Sequence, residues 1–377
     1  MDVVVTEDQE FFRDTTRKFL ERECPLPQVR ALVQHPDGFE RGYWKQGAEL
    51  GWTSLLVPEE HGGGTISGSG IADLACLADL FGAHVAPGPL LPTNLVAAAI
   101  ARAGSASQQA EWLPGLLSGD TVATWAHMEH GTSPLDRPTA VTAARDGDGF
   151  VLTGVKTPVE AGAQADVLLV SAALEGVPLQ LLVDAHADGV TITPLESVDM
   201  VRRYARVDLD GVHVSGDVLV GVSGESGAAE LDWQLALAGV VQSTESVGAA
   251  QVVFDLTVEW AFDRYTFGRP LASYQALKHR FADMKLWLEA SHAIAAAAAI
   301  ELHEQDPAAN ETASAAEAYT GDHLTELAQD CIQMHGGIGL TYEHDIHLFL
   351  RRIVADRLTY GTPADHRRRI ADFRELA

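Results

Sequence analysis

The chain changes texture at about residue 121 and again near 225, and these two changes constrain its fold more than any other feature. Between them, Val, Thr and Leu alternate with polar residues in short runs: Phe150-Val151-Leu152-Thr153, Val167-Leu168-Leu169-Val170, Leu179-Gln180-Leu181-Leu182-Val183, Val190-Thr191-Ile192-Thr193 and Val207-Asp208-Leu209. Gly, Asp and Pro punctuate them at spacings of roughly ten residues or more, the pattern of a compact antiparallel β domain. On either side the period is helical. Thr6-Glu7-Asp8-Gln9 has the capping-box pattern ahead of Phe11, Phe12 and Phe19. Tyr43 to Leu50 is amphipathic, Val57 to Gly64 is a loop, Ile71 to Phe81 resumes the helix, and Pro87, Pro89 and Pro92 break it again. After residue 228 the sequence is Ala-rich, and Ala228–Asp263 and Tyr274–Glu304 are each long enough for a bundle helix. Asp306-Pro307 marks a break, with helix again from Thr312. The expected class is α+β: an N-terminal helical domain over 1–120, a middle antiparallel β domain over 121–225 and a C-terminal four-helix bundle over 226–377.

Charge and cysteine content narrow the chemistry. A formal net charge of −27 repels nucleic acid and anionic lipid. Arg351, Arg352, Arg357, Arg367, Arg368, Arg369 and Arg374 crowd the C-terminal end, reading either as a solvated helix face or as a contact for phosphates or an acidic partner. Cys24, Cys76 and Cys331 form neither a disulfide framework nor a metal-ligand pattern, so no metal is expected. The N-terminus lacks the basic start and apolar core of a signal peptide. The most apolar window, Ala293–Ile300, is too short to cross a bilayer. The expected location is the cytoplasm, away from membranes.

Two segments carry chemistry. Arg264 ends one long helical stretch, and Phe267-Gly268 opens the turn into the next, which begins near Gln275. A guanidinium at such a corner offers a planar fork for phosphate oxygens; the bland alternative is an ion pair with Asp263 or Asp255. The second segment, Gln333-Met334-His335-Gly336-Gly337-Ile338-Gly339, places glycines where helix would otherwise continue. Each costs about 1 kcal/mol inside a helix, so such a run belongs where backbone bends or touches a ligand. His335 reads as a packed or surface histidine rather than an acid or base.

Together these segments resemble the acyl-CoA dehydrogenase family, and the resemblance spans nearly the whole chain. Asp263 to Leu271 with Gln275, and Gln333 to Gly339 followed by Arg351-Arg352, match its most specific motifs. Trp44 to Trp52, Val57 to Gly63, and Trp112-Leu113-Pro114 with Gly119 resemble its opening domain. The resemblance implies FAD as cofactor and oxidation of an acyl-CoA to its trans-2-enoyl product, with an electron-transfer flavoprotein as acceptor. In that family the ADP half of FAD on one subunit is clasped by the neighbouring subunit. The positions that match the clasp are Arg264, Phe267, Gln275, Gln333 and Gly337, with Gly336 and Thr362 as further cofactor-binding candidates.

Departures from the pattern are equally specific. The family's flavin-contacting Thr-Glu-Pro-x-x-Gly-Ser-Asp is Met128-Glu129-His130-Gly131-Thr132-Ser133-Pro134-Leu135 here, and its Trp-x-Thr or Trp-x-Ser is Pro158-Val159-Glu160. A carboxylate at Glu160 would be unwelcome beside reduced flavin. The family's glutamate base stands either before the Gly-Thr matching Gly361-Thr362, where this chain has Tyr360, or at the site matching Ala238. Tyrosine, with an ordinary pKa near 10, is a poor base. Glu245, two helical turns beyond Ala238, is a weaker catalytic candidate whose other reading is a polar residue in the bundle or at a subunit contact.

This combination is similar to the base-lacking chain of actinobacterial α2β2 acyl-CoA dehydrogenases acting on bulky CoA thioesters such as steroid side chains. It implies a homologous catalytic partner subunit. The alternatives are a self-sufficient homotetrameric dehydrogenase, a flavin-dependent oxygenase or oxidase on the same scaffold, and a purely structural subunit.

Overall fold

A computed structural model describes residues 6–221 and 223–374. Six helices open the chain: α1 (Glu7–Glu23), α2 (Leu26–Leu32), α3 (Arg41–Glu49), α4 (Gly70–His84), α5 (Leu90–Ala103) and α6 (Ala106–Leu117). The expected capping box starts α1: Gln9 N–H donates to the Thr6 hydroxyl and Thr6 N–H to the Gln9 side chain, both at 3.1 Å. Pro92 does not break a helix. It sits in the first turn of α5, where its missing N–H has no intrahelical partner to lose.

Eight strands follow: β1 (Ala123–Ala126), β2 (Thr142–Asp146), β3 (Gly149–Glu160), β4 (Val167–Leu174), β5 (Val177–Asp184), β6 (Val190–Leu195), β7 (Tyr204–Val214) and β8 (Leu219–Val220). They form one sheet in the order β6-β7-β3-β2-β4-β5-β8, with β1 also paired to β4. Pairing is antiparallel except against β4, where β1 and β2 lie end to end along one edge and run parallel to it. The segment between them, residues 127–141, leaves the sheet as a loop, and this loop becomes important below.

The C-terminal part begins with α7 (Glu225–Asp263), 39 residues long and so about 58 Å. A short ribbon of β9 (Tyr265–Thr266) and β10 (Arg269–Pro270) leads to α8 (Gln275–Glu304), α9 (Ala309–His335), α10 (Ile346–Leu358) and α11 (Pro363–Phe373). Among the described residues no helix is long and apolar enough to cross a membrane. One continuous core unites the N-terminal helices, the inner sheet face and the bundle, including Trp44, Trp52, Phe81, Trp125, Leu237 and Phe349.

α4 crosses α7 at backbone contact. A Cβ added to Gly82 would lie 1.8 Å from the Glu245 carbonyl oxygen, and one added to Gly248 would lie 2.0 Å from that of Asp79. Helix propensity alone says that Gly248→Ala should stabilise by about 1 kcal/mol. The crossing reverses the sign: we expect a loss of about 1–3 kcal/mol, read as a lower thermal midpoint, because α4 must be pushed off α7. A midpoint at or above that of the parent would show that the helices can separate without cost.

Candidate functional site

The α7–α8 corner presents most of the motif residues to solvent. Arg264 ends α7, its N–H bonded to the Trp260 carbonyl at 2.8 Å. Phe267, at φ 51°, is 99% exposed at the tip of the β9–β10 ribbon. Gln275, also exposed, opens α8. From the other side comes the end of α9, where Gln333, Gly336 and Gly337 are exposed and a Cβ at either glycine would meet nothing within 4 Å. That leaves open backbone a ligand can approach. Trp260 joins the two segments: its Nε1 donates to the Met334 carbonyl at 3.3 Å, and its ring stacks on His335 with centroids 5.2 Å apart. His335 is thus a packed histidine, as expected.

Charge at this corner is distinctive. Arg280 pairs with Glu326 and Asp330, and Lys285 with Glu289, whereas Arg264, Arg269 and Lys278 have no carboxylate partner among the described residues. Arg264 is not paired with Asp263 or Asp255; it lies over the Trp260 ring at 5.9 Å, and Arg269 over Tyr274 at 3.9 Å. The C-terminal arginines differ. Arg357 and Arg367 share Asp322, Arg368 takes Asp365, Arg369 takes Asp232 and Arg374 takes Glu311. Arg357, Arg367, Arg368, Arg369 and Arg374 are thus each ion-paired within the chain.

Thr362 stands apart from the corner. It caps α11, accepting the Asp365 N–H at 3.3 Å and donating its hydroxyl to the Asp365 carboxylate at 2.7 Å. It borders a hollow shared by Gly131, Thr132, Ser133, Asp136, Asp365 and Arg368. Two carboxylates and one arginine already bonded to Asp365 make that hollow a poor host for a pyrophosphate.

Inside the protein, the positions matching the flavin strand and the base meet in a closed cluster. Glu129 points inward, accepting N–H groups from Thr139 (2.9 Å), Ala140 (2.8 Å) and Val141 (3.0 Å) and the Lys156 ammonium (2.6 Å). It therefore ties the 127–141 loop to β3. Burial pulls Lys156 down to about 8 even with Glu129 beside it. Tyr360, at φ 55° and 2% exposed, stacks on Trp125 at 5.3 Å, and Trp125 stacks on His127 at 4.4 Å. Burial, reinforced by Glu160, pushes the Tyr360 phenol well above its ordinary value, so it is an even poorer base than free tyrosine. Ala238 is fully buried on α7.

Next to this stack lies a buried ionic network. Arg202, before β7, donates to Glu245 at 2.6 Å and Asp356 at 2.5 Å, and lies 3.4 Å from Glu160. Arg352, on α10, donates to Asp199 and Glu245 at 2.5 Å each and to the Ala86 carbonyl at 3.2 Å. Each oxygen of Glu245 is thus held by a different guanidinium. Glu245 is therefore a buried, doubly ion-paired residue of the bundle, which is the other of its two readings. Burial would raise Asp199, but Arg352 and Arg202 hold it at about 2. Burial raises Glu160, and pushes Asp356 to about 8 against the pull of Arg202. The hollow touching Glu160 and Arg202 measures about 10 Å³, the size of one water. A stacked tyrosine, an inward loop and this network leave no slot for a flavin ring: the residues present do not fit one, while the outer corner fits a phosphate-bearing group.

Sequence reasoning missed Asp199, Arg202 and Asp356, and it missed Trp260. Their partners are distant in sequence, so no local spacing signals them; the adjacent Arg202-Arg203 was the only available hint.

The network generates a pH prediction. Asp356 faces Arg202, Ser246, Glu245, Arg352 and Glu317. Its folded value lies above its ordinary one, so the folded chain keeps a proton that the unfolded chain releases. The stability this contributes is full at acid pH and is lost as pH climbs through about 8. Asp356→Asn, which mimics the protonated acid, should flatten the fall in thermal midpoint between about pH 4 and 8. An unchanged slope would place the titrating group elsewhere.

The chain is similar to known proteins along nearly its whole length. The acyl-CoA dehydrogenase N-terminal domain model matches residues 6–120 and the C-terminal domain model residues 225–373, together well over half of the chain. Acyl-CoA dehydrogenase IpdE2 of Mycolicibacterium smegmatis is 28% identical over 368 residues, spanning 97% of this chain and 98% of its own. Among solved structures, the Tcur3481-Tcur3483 steroid ACAD is similar at TM-score 0.89 and 28% identity, covering 99% of both chains. The ChsE4-ChsE5 complex from Mycobacterium tuberculosis is similar at TM-score 0.88 and 28% identity, covering 100% of this chain and 99% of that one. With both family domains matched and the same architecture throughout, this chain belongs to the acyl-CoA dehydrogenase family.

Proposed function

We propose that this chain is the non-catalytic partner in a heteromeric acyl-CoA dehydrogenase, holding the ADP half of an FAD whose ring lies in a homologous catalytic subunit. One observation carries the reading: the cations free of carboxylates at the α7–α8 corner face outward, while the interior that would hold a flavin ring is filled. Arg264, Phe267, Gln275, Gln333, Gly336 and Gly337 would grip from outside. An FAD held by these residues would supply the hydride acceptor for acyl-CoA oxidation, with the α-proton base in the catalytic chain; this chain would bind and orient. Thr362 is no part of this grip and serves as a helix cap. The similarity to the ChsE4-ChsE5 complex and to a steroid ACAD supports a paired assembly and a bulky, steroid-like acyl group. Cytoplasmic location and an electron-transfer flavoprotein as acceptor belong to the same reading.

Co-expression with a homologous catalytic chain, followed by flavin counting, tests it. One FAD per pair of chains is expected, and an isolated chain that is colourless. One FAD per chain in a homo-oligomer would overturn the division of labour in favour of a self-sufficient enzyme. Within the heteromer, Arg264→Ala should weaken FAD by about 10- to 150-fold, the size of a lost charge-assisted phosphate contact. An unchanged flavin dissociation constant would make Arg264 a surface residue only.

Tyr360→Glu places a carboxylate where most relatives carry their base. Acyl-CoA-dependent dye reduction by the isolated variant should stay at background, since a base without a hydride acceptor oxidises nothing. Turnover by that variant would mean that the interior can open to admit flavin.

A further inference from the structure

We propose that Trp260 is the positioning residue that keeps the two halves of the clasp in register, an inference that rests on the clasp reading above. Trp260 lies one turn before the end of α7, half-buried beneath the corner. Four contacts converge on it. Its carbonyl accepts the Arg264 N–H at 2.8 Å, and its ring lies beneath the Arg264 guanidinium at 5.9 Å. The indole N–H donates to the Met334 carbonyl at 3.3 Å, and the ring stacks on His335 at 5.2 Å with 19° between planes.

Met334 follows Gln333, and His335 precedes Gly336, so the indole grips the peptide lying between the clasp groups contributed by α9. That peptide is fixed in turn. His335 Nδ1 bonds the Cys331 carbonyl at 2.9 Å, and its ring meets His344 edge to face at 4.7 Å. Burial holds His335 below its ordinary value, so the stack presents a neutral imidazole to the indole. Arg264 has no carboxylate to anchor it among the described residues, and its guanidinium rests on the indole instead. A long side chain that already has a face to lie on loses less rotamer freedom when it grips a phosphate.

The test measures the FAD dissociation constant of the heteromer by flavin fluorescence, in the Trp260→Leu, Trp260→Phe and Arg264→Ala variants and the Trp260→Leu/Arg264→Ala pair. Trp260→Leu should weaken FAD about tenfold, and Trp260→Phe about threefold, since phenylalanine keeps the stack but not the N–H. The double variant should lose less than the product of the single losses, because Trp260 acts partly through Arg264. A Trp260→Leu heteromer with parental affinity, while Arg264→Ala is weakened, overturns the proposal. So does a strictly multiplicative double variant, which would assign Trp260 an independent structural role. Should Trp260→Leu fail to assemble, Trp260→Phe decides, and parental affinity there overturns the proposal. If Arg264→Ala itself leaves FAD unmoved, the clasp reading fails, and this inference falls with it.

Discussion

The structure turns on one buried arrangement: two guanidiniums, Arg202 and Arg352, enclosed by Glu160, Asp199, Glu245 and Asp356, all at most 9% exposed. Four carboxyls against two cations cannot all stay ionised in a low-dielectric interior, and burial raises Glu160 and Asp356 while the arginines hold Asp199 down. The network draws on every part of the chain. Glu160 and Asp199 come from the sheet region, Glu245 from α7, and Arg352 and Asp356 from α10. Arg352 also reaches the Ala86 carbonyl beside Val85, a β-branched residue held at φ 47°. Such a conformation persists only where its surroundings over-determine it; here Val85 N–H donates to the Gly82 carbonyl at 3.1 Å and Ala86 N–H to that of Phe81 at 2.8 Å, closing α4, and Arg352 bonds the next carbonyl. Losing one partner of a buried pair costs about 3–5 kcal/mol, so the network fixes how helices, sheet and bundle meet.

The network lies inside the protein, apart from the exposed α7–α8 corner. The outer corner is built from the ends of α7, α8 and α9 and the β9–β10 ribbon, with His344 packed on His335 behind it. The interior depends on the 127–141 loop, the end of β3 and the α10–α11 turn. α7 runs through both, carrying Glu245 inside and leading to Arg264 at the corner, where Phe267 is exposed. On a chain of net charge −27, cations without carboxylate neighbours are conspicuous. Most arginines here neutralise an acid; those at the corner remain available to an anion.

Most of this was legible in the sequence, but unevenly. The helix–sheet–helix order, the α1 capping box and the break after α8 follow local rules of period and capping, and local rules survive folding. The two parallel pairings against β4 do not, because they arise where β1 and β2 meet one edge across a loop of irregular sequence. At Met128–Leu135 and Pro158–Glu160 the sequence showed where the family pattern is departed from. What replaced the missing contacts was invisible: Asp199 with Arg352, and Arg202 with Asp356, pair across 153 and 154 positions. Glu245 shows the same limit. Its place on the Ala238 face could be read from helical spacing, but its two arginine partners could not, and they decide what it does.

Several stretches of chain hold this interior closed at once. Tyr360 is a wedge as well as a missing base: its N–H meets the Met128 sulfur at 3.4 Å, its ring lies on Trp125, and its left-handed backbone sets the turn into α11. Glu129 holds the loop beneath it through Lys156 and three backbone amides. Glu160 and Arg202 close the remaining side. Each element comes from a different stretch of chain, and removing any one leaves the others in place, now with an unpaired charge or an empty volume, both unfavourable. Opening this interior would therefore require coordinated change in the loop, the strand end and the turn.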